Sequence, residues 1–241
     1  ARKGQTPTIP GVQIADIGGG ALYAAIGILI ALMGVKQNGV GQYVDTSMLD
    51  GAVSWLPVLA NDYFVKRVSP KAAENILNGQ NACYEVYETA DGRYISIGAI
   101  EPHLWANFCD AIGKEEFKLW QRDLTKQDEM FACLREMFKS KTQAEWIEKL
   151  TGVDCCWAPV KNLEEVFADP QVLARDMVYE MTDPAGCYGS VKMIGSAVKL
   201  SETPARQELF PPRKGEHNAE YLKAVGYSDE QIAEFEKNGI I

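Results

Sequence analysis

The chain has 241 residues, 46% hydrophobic and 24% charged, which fits a globular protein with one large domain or two small ones. Its net charge of −9 argues against nucleic-acid binding, which needs a basic face. Six cysteines without a C-x-x-C pair, and two histidines in all, argue against a zinc site and for reduced thiols in a cytoplasmic protein.

Ala1-Arg2-Lys3-Gly4-Gln5-Thr6-Pro7 leads into no short apolar core, so no signal peptide is expected. The missing Met and the run Thr-Pro-Thr-Ile-Pro-Gly read as a connection inside a longer protein. Asp16-Ile17-Gly18-Gly19-Gly20 follows, and no charge occurs from Ile17 to Val35. By length this stretch could span a membrane. Gly27 and Gly34 within it, added to the three at its start, favour a buried core helix and no membrane span. A carboxylate beside so much apolar surface is costly unless it is paired or used. Adjacent glycines let a ligand or a second backbone come close.

Lys36 to Gly41 reads as a C-cap and turn, and Gln42 to Met48 as a short strand. Leu49 to Phe64 is a second apolar helical stretch, kinked or broken at Pro57. Residues 65–82 read as a linker. Tyr84–Thr89 and Tyr94–Gly98 alternate around Asp91-Gly92, a hairpin signal. Helices are expected over Pro102–Ile112, Glu129–Lys139 and Gln143–Leu150, the last with a Thr142/Glu145 capping box. Trp157–Val160 reads as a strand, Leu163–Phe167 as a helix capped by Asn162, and Met177–Leu200 as strands around Asp183-Pro184-Ala185-Gly186. Asn218–Val225 ends at Gly226, and Ser228 with Gln231 caps a final helix through Lys237. These readings divide the chain into 1–64, a linker 65–82, a second unit 83–200 and a closing segment 201–241.

Two carboxylates are candidates for chemistry. Asp16 precedes the apolar helix, so it is either a plain N-cap or a reactive group. Glu101 ends an apolar strand and precedes Pro102, so it is either a first-turn residue that complements the helix dipole or a functional acid. His103 and His217 read as surface histidines. Asp45, Asp50 and Asp62 lie in or near apolar stretches and read as buried partners of arginine or backbone amides. Met and aromatic positions between Trp105 and Phe138 read as helix core. Gly18-Gly19-Gly20 lacks the spacing of a nucleotide-binding loop.

Pro10 to Gly20, the helix through Leu32, and Gly39-x-Gly41-Gln42-Tyr43-Val44-Asp45-Thr46-Ser47-Met48-Leu49-Asp50-Gly51 resemble the family III CoA transferases. That family includes alpha-methylacyl-CoA racemases and the carnitine- and bile-acid-CoA enzymes. Tyr87 to Tyr94, Asp169-Pro170-Gln171, Arg175-Asp176-Met177 and Gly215-Glu216-His217-Asn218 continue the resemblance in order along the chain. It implies an α/β fold, with a large Rossmann-like domain interrupted by a smaller α+β domain. Two chains interlock, and acyl-CoA lies between the large domain of one and the small domain of the other. Residues 1–64 would carry the catalytic Asp, 83–200 the small domain, and 201–241 the return to the large one. The family's N-terminal part, with most CoA contacts, has no counterpart in this sequence.

The resemblance gives the site residues their roles. In the transferases the aspartate matching Asp16 is a nucleophile; in the racemases it is half of an acid/base pair. Gly98-Ala99-Ile100-Glu101-Pro102 matches the racemase pattern, and the glycine-rich loop of formate/oxalate transferases is absent. The implied activity is therefore proton removal and return beside a CoA thioester. Asp16 would act as acid/base, and Glu101 would orient the partner histidine. Helix-end physics, apart from the resemblance, adds that backbone N–H groups of Gly18, Gly19 and the helix N-terminus would hold the enolate oxygen, with Gly18, Gly19 and Gly20 as the cofactor-binding run. CoA enters as part of the substrate, and no permanent cofactor or metal is implied. The partner histidine of the family precedes the aspartate, whereas both histidines of this sequence follow Asp16. It would come from an N-terminal companion polypeptide or be lacking. A CoA transferase and a non-catalytic CoA-binding partner are the alternatives.

Overall fold

A computed structural model describes residues 4–205 and 209–241. The basic start Ala1–Lys3, and 206–208 within the closing segment, lie outside the described residues. The chain forms two compact units, Ala1–Val160 and Lys161–Ile241.

The core of the first unit is a three-stranded antiparallel sheet under helices. Strands β1 (Tyr84–Glu88) and β2 (Tyr94–Gly98) form the expected hairpin, with Tyr84 opposite Gly98 and Glu88 opposite Tyr94. The turn carries Gly92 at φ 71°, a conformation that favours glycine. β3 (Trp157–Pro159) pairs antiparallel with β2. Alternation turns Tyr87, Ile95 and Ile97 into the core.

Helices α4 (Pro102–Ile112), α6 (Gln127–Phe138) and α7 (Gln143–Leu150) supply the rest of the core. Trp105, Phe108, Met130 and Phe138 are fully buried, as the helix-core reading expects, and Leu134, Trp146 and Leu150 are buried with them. Rings stack through Phe138, 4.8 Å from Tyr87 and 4.5 Å from Trp146. The polar ends of these aromatics are satisfied: Trp105 Nε1 donates to the Phe117 carbonyl at 2.7 Å, Trp146 Nε1 to Phe138 at 2.9 Å, and Tyr87 OH to Ala82 at 2.7 Å. The Thr142/Glu145 capping box is present. The short helix α5 (Phe117–Trp120) is one that the sequence pattern does not signal.

The N-terminal part of this unit departs from expectation. Ile14–Ala21 is a π-helical segment that runs into α1 (Leu22–Asn38), which ends at Gly39 with φ 73°. Among the described residues nothing buries α1 as a core helix would be buried. Leu29 and Ile30 are each 60% exposed and Met33 62%, and apolar residues ring the helix. With the π segment, it is long and apolar enough to cross a membrane by length and composition. Gln42–Ser47 is not the expected strand. A strand needs a ladder partner, and none of the described sheets includes this segment. Pro57 breaks the second apolar stretch outright: α2 (Met48–Val53) ends before it, and Pro57 opens α3 (Pro57–Lys66) in the first turn, where its missing N–H costs nothing. The first two positions of the expected linker, 65 and 66, belong to α3, and residues 67–82 are irregular except for a 3₁₀ turn at Ile76–Asn78.

The second unit holds α8 (Leu163–Phe167), α9 (Pro170–Ala174), the antiparallel pair β4 (Val178–Thr182) and β5 (Ser190–Ile194), α10 (Asn218–Ala224) and α11 (Asp229–Lys237). Asn162 and Ser228 cap α8 and α11 as expected. Buried Asp183 organises the β4–β5 turn, accepting N–H bonds from Ala185, Cys187 and Tyr188 at 2.8–3.0 Å. Both described sheets are antiparallel, so the parallel strands of a Rossmann-like domain are not among the described residues.

Candidate active site

Asp16 is the third residue of the π-helical segment, not its N-cap; Gln13 holds that position, with no side-chain cap. The plain N-cap reading is therefore wrong: the helix begins before Asp16. Asp16 is also exposed, so the desolvation cost inferred from its apolar neighbours does not arise here. π turns are rare and recur at functional sites, because the wider turn redirects side chains.

The glycines have a structural use. Gly18 and Gly19 are buried against α2. A Cβ on Gly18 would fall inside the Trp55 indole, and one on Gly19 would lie 2.8 Å from the Met48 carbonyl oxygen. A Cβ on Gly20 would lie 3.0 Å from Met48 Cγ. The second backbone that the glycines admit is that of α2. Trp55 is fixed in turn. Its Nε1 donates to Tyr23 OH at 3.2 Å, and Ser54 Oγ donates to the Gly51 carbonyl at 2.7 Å. The remaining proton, on Tyr23, then points to Ser54 Oγ, 2.8 Å away. Neither Tyr23 nor Ser54 is signalled by sequence spacing, since they lie 31 residues apart.

Glu101 is the N-cap residue of α4, with extended backbone (φ −71°, ψ 136°) and Pro102 behind it in the first turn. Its side chain makes no cap bond and is exposed. Glu is a poor N-cap, and here it does not cap. The turn before it is held from below: buried Gln121 donates from Nε2 to the carbonyls of Ala99 at 3.0 Å and Ile100 at 2.9 Å. A cavity of about 520 Å³ opens on the sheet face beside Gly98, lined by Tyr84, Ser96, Cys156 and Trp157 among others.

The structure thus joins Asp16 to the glycines and α2. No hydrogen bond or ion pair among the described residues links Asp16 to Glu101. His103 and His217 are exposed, as expected; His217 Nδ1 lies 3.3 Å from Glu220. Asp45, Asp50 and Asp62 are exposed, so the buried-partner reading fails; Asp62 pairs with Lys66 one helical turn on, at 2.9 Å. Among the described residues no cluster of three His, Cys, Asp or Glu side chains could hold a metal. Three thiols are unavailable for chemistry. Burial pushes Cys109 up to about 12 and Cys155 up to about 11, and raises Cys83 as well.

The profile of CoA-transferase family III matches residues 1–218. The chain belongs to CoA-transferase family III. Among its relatives, an acyl-CoA transferase of Fusarium pseudograminearum is 32% identical over 245 residues, covering 99% of this chain and 53% of the relative. An alpha-methylacyl-CoA racemase of Mus musculus is 32% identical over 242 residues, covering 100% of this chain and 62% of the relative. Among solved structures, a CAIB/BAIF family protein from Brucella suis superposes with a TM-score of 0.72 at 25% identity, covering 93% of this chain and 58% of that one. The chain therefore spans between 53% and 62% of the length of these two relatives. The family includes both racemases and CoA transferases, and it is enzymatic and CoA-using.

Proposed function

We propose that this chain carries part of the active site of an acyl-CoA racemase or epimerase, acting on the carbon beside a CoA thioester. The observation that carries the reading is the pair of exposed carboxylates on constrained backbone. Asp16 sits in a π turn locked onto α2, and Glu101 on a turn locked by Gln121. Neither side chain is spent on capping its helix.

Racemisation needs two proton-transfer groups on opposite faces of an enolate. Asp16 is one. The other is a histidine that Glu101 orients, supplied from outside this sequence, since both histidines here follow Asp16 and lie on the surface. Gly18, Gly19 and Gly20 admit Trp55 and α2 against the segment that carries Asp16, and their N–H groups would face the enolate oxygen. CoA is bound as part of the substrate, in a cytoplasmic enzyme without a resident metal.

Residues 1–64 and 201–241 belong in this reading to a large Rossmann-like domain, and 83–200 to a small domain, with 65–82 between them. Two chains interlock, so that Asp16 of one protomer and Glu101 of its partner share a site. The exposed apolar residues of α1 are then covered by the remaining part of the family-length protein, not by lipid. Covering each is worth on the order of 1 kcal/mol, since each is about half exposed already.

CoA transfer with Asp16 as nucleophile is the second reading, favoured by transferases among the relatives. Hydroxylamine trapping separates the two. Hydroxylamine converting the Asp16 carboxyl to its hydroxamate during turnover, with loss of the acyl carboxylate or CoA thiol, overturns the racemase reading; solvent deuterium entering the α-carbon without an acceptor acid supports it. A non-catalytic CoA-binding role would leave the biological function intact in Asp16→Asn.

A further inference from the structure

We propose that Gln121 is the positioning residue of Glu101, fixing through the main chain the direction in which that carboxylate projects. The inference rests on the reading of Glu101 as the carboxylate that orients an acid/base partner.

The turn Gly98–Glu101 is bonded at every peptide. Gly98 N donates to the Cys156 carbonyl at 2.8 Å, Ala99 N to Cys83 at 2.9 Å and Ile100 N to Gly98 at 2.9 Å. Gln121 spends its side-chain N–H groups on the two carbonyls that precede Glu101, and Arg122 Nη2 adds a third donor to Ile100 at 3.3 Å. On the other side, the Glu101 carbonyl accepts from Trp105 N at 3.1 Å, and Trp105 is wholly buried. Both peptide groups flanking the Glu101 Cα are therefore tied to the core.

Gln121 is itself held by buried amides. Its carbonyl accepts from Asn81 Nδ2 at 3.1 Å and Gln127 Nε2 at 3.4 Å, while Gln127 Oε1 accepts from Ala82 N at 2.9 Å. Asn81, Gln121 and Gln127 are all buried. Glutamine and asparagine are seldom buried, because an amide taken from water must recover every hydrogen bond. Three of them converge beneath a turn that ends in an exposed carboxylate with no cap bond. Through fixed backbone torsions they limit where that carboxylate can point.

The test uses the isotope-labelled chain and NMR of Glu101, read from its amide shift and its side-chain couplings. Gln121→Met removes the donors at similar volume and is expected to displace the Glu101 signals at every pH. Gln121→Glu is a pH-switched version. Burial raises the new carboxyl's pKa, so near about pH 5 it is protonated and donates one bond, while near about pH 8 it is ionised and can only repel the carbonyls. Its Glu101 signals are expected near wild type at the lower pH and displaced, reversibly, at the higher. The Trp146 indole N–H, bonded to Phe138 elsewhere in the core, reports the fold and is expected to stay in place. If Gln121→Met does not fold, Gln121→Glu and Arg122→Gln carry the comparison. In an assembly that turns over, Gln121→Met lowers kcat by about tenfold or more with little change in KM, the usual result of misplacing a catalytic constellation. Glu101 signals that match wild type in both variants at both pH values, or that move only together with Trp146, overturn the proposal. The NMR result stands apart from the racemase reading: turnover undiminished in Glu101→Gln would sink that reading without touching the geometry of Gln121.

Discussion

Gly51 of α2 lies against Gly19 so closely that a Cβ on Gly51 would overlap the Gly19 carbonyl. The two backbones meet three residues after Asp16, within the same π segment. The glycine run beside the catalytic candidate is explained first by packing, and any service to a ligand comes through its N–H groups.

This contact makes a sharp prediction. Neither Gly19 nor Gly51 has a positive φ, so Gly51→Ala tests steric overlap alone. Forcing a methyl between two backbones is expected to cost about 1–3 kcal/mol locally. Hydrogen exchange over residues 14–24 would accelerate, while amides of β1 and β2 keep their protection.

Removing the carboxylates is expected to separate activity from stability. Asp16→Asn and Glu101→Gln replace exposed groups that cap nothing, so thermal melting should shift by no more than about 0.5 kcal/mol in equivalent stability. Turnover by an active assembly should fall by about a hundredfold or more for Asp16→Asn, in line with the loss of a general acid/base.

Thiol labelling of the native chain should be selective. Cys156 and Cys187 are exposed and should react with a maleimide first. Cys83, Cys109 and Cys155 are buried with raised pKa values and should react only on unfolding. Mass spectrometry of the labelled peptides reads the order. Fast labelling of Cys109 would contradict the core described above.

Acid should loosen the second unit through Asp183. The Ala185 N–H bond first, then those of Tyr188 and Cys187, with help from Arg213, hold its carboxyl below the ordinary aspartate value. A depressed folded pKa stabilises above the unfolded value of about 4, and the stabilisation is lost as pH falls through the folded pKa. The β4–β5 turn should therefore open below about pH 4, as seen in the amide signals of Ala185, Cys187 and Tyr188. Asp183→Asn should weaken the turn at neutral pH and remove that transition.

What was legible in the sequence is what neighbours decide. Asp91-Gly92 between alternating runs fixes the β1–β2 hairpin, and the Thr142/Glu145 and Ser228/Gln231 pairs cap their helices locally. Partners distant in sequence were not legible. Nothing in Gln42–Ser47 says whether a neighbouring strand is at hand, and nothing in Leu22–Asn38 says what covers it. The π turn at Asp16 is not legible, since periodicity does not separate it from an α-turn. Gln121, in a polar turn between helices, carries no sign that it is buried under Ala99 and Ile100. Asp16 and Glu101 stand out in the sequence from their places beside apolar segments, with a helix-end role as the rival for each, and the motif resemblance supplies their catalytic roles.

The most direct measurement is deuterium entry at the α-carbon of a 2-methylacyl-CoA in heavy water. It is followed with this chain by itself and with the polypeptide that supplies the remaining part of the family's length. The account predicts no exchange by the chain alone, exchange by the assembly, and loss of that exchange in Asp16→Asn. Rapid exchange by the chain alone, or exchange in the assembly that persists in Asp16→Asn, would contradict it.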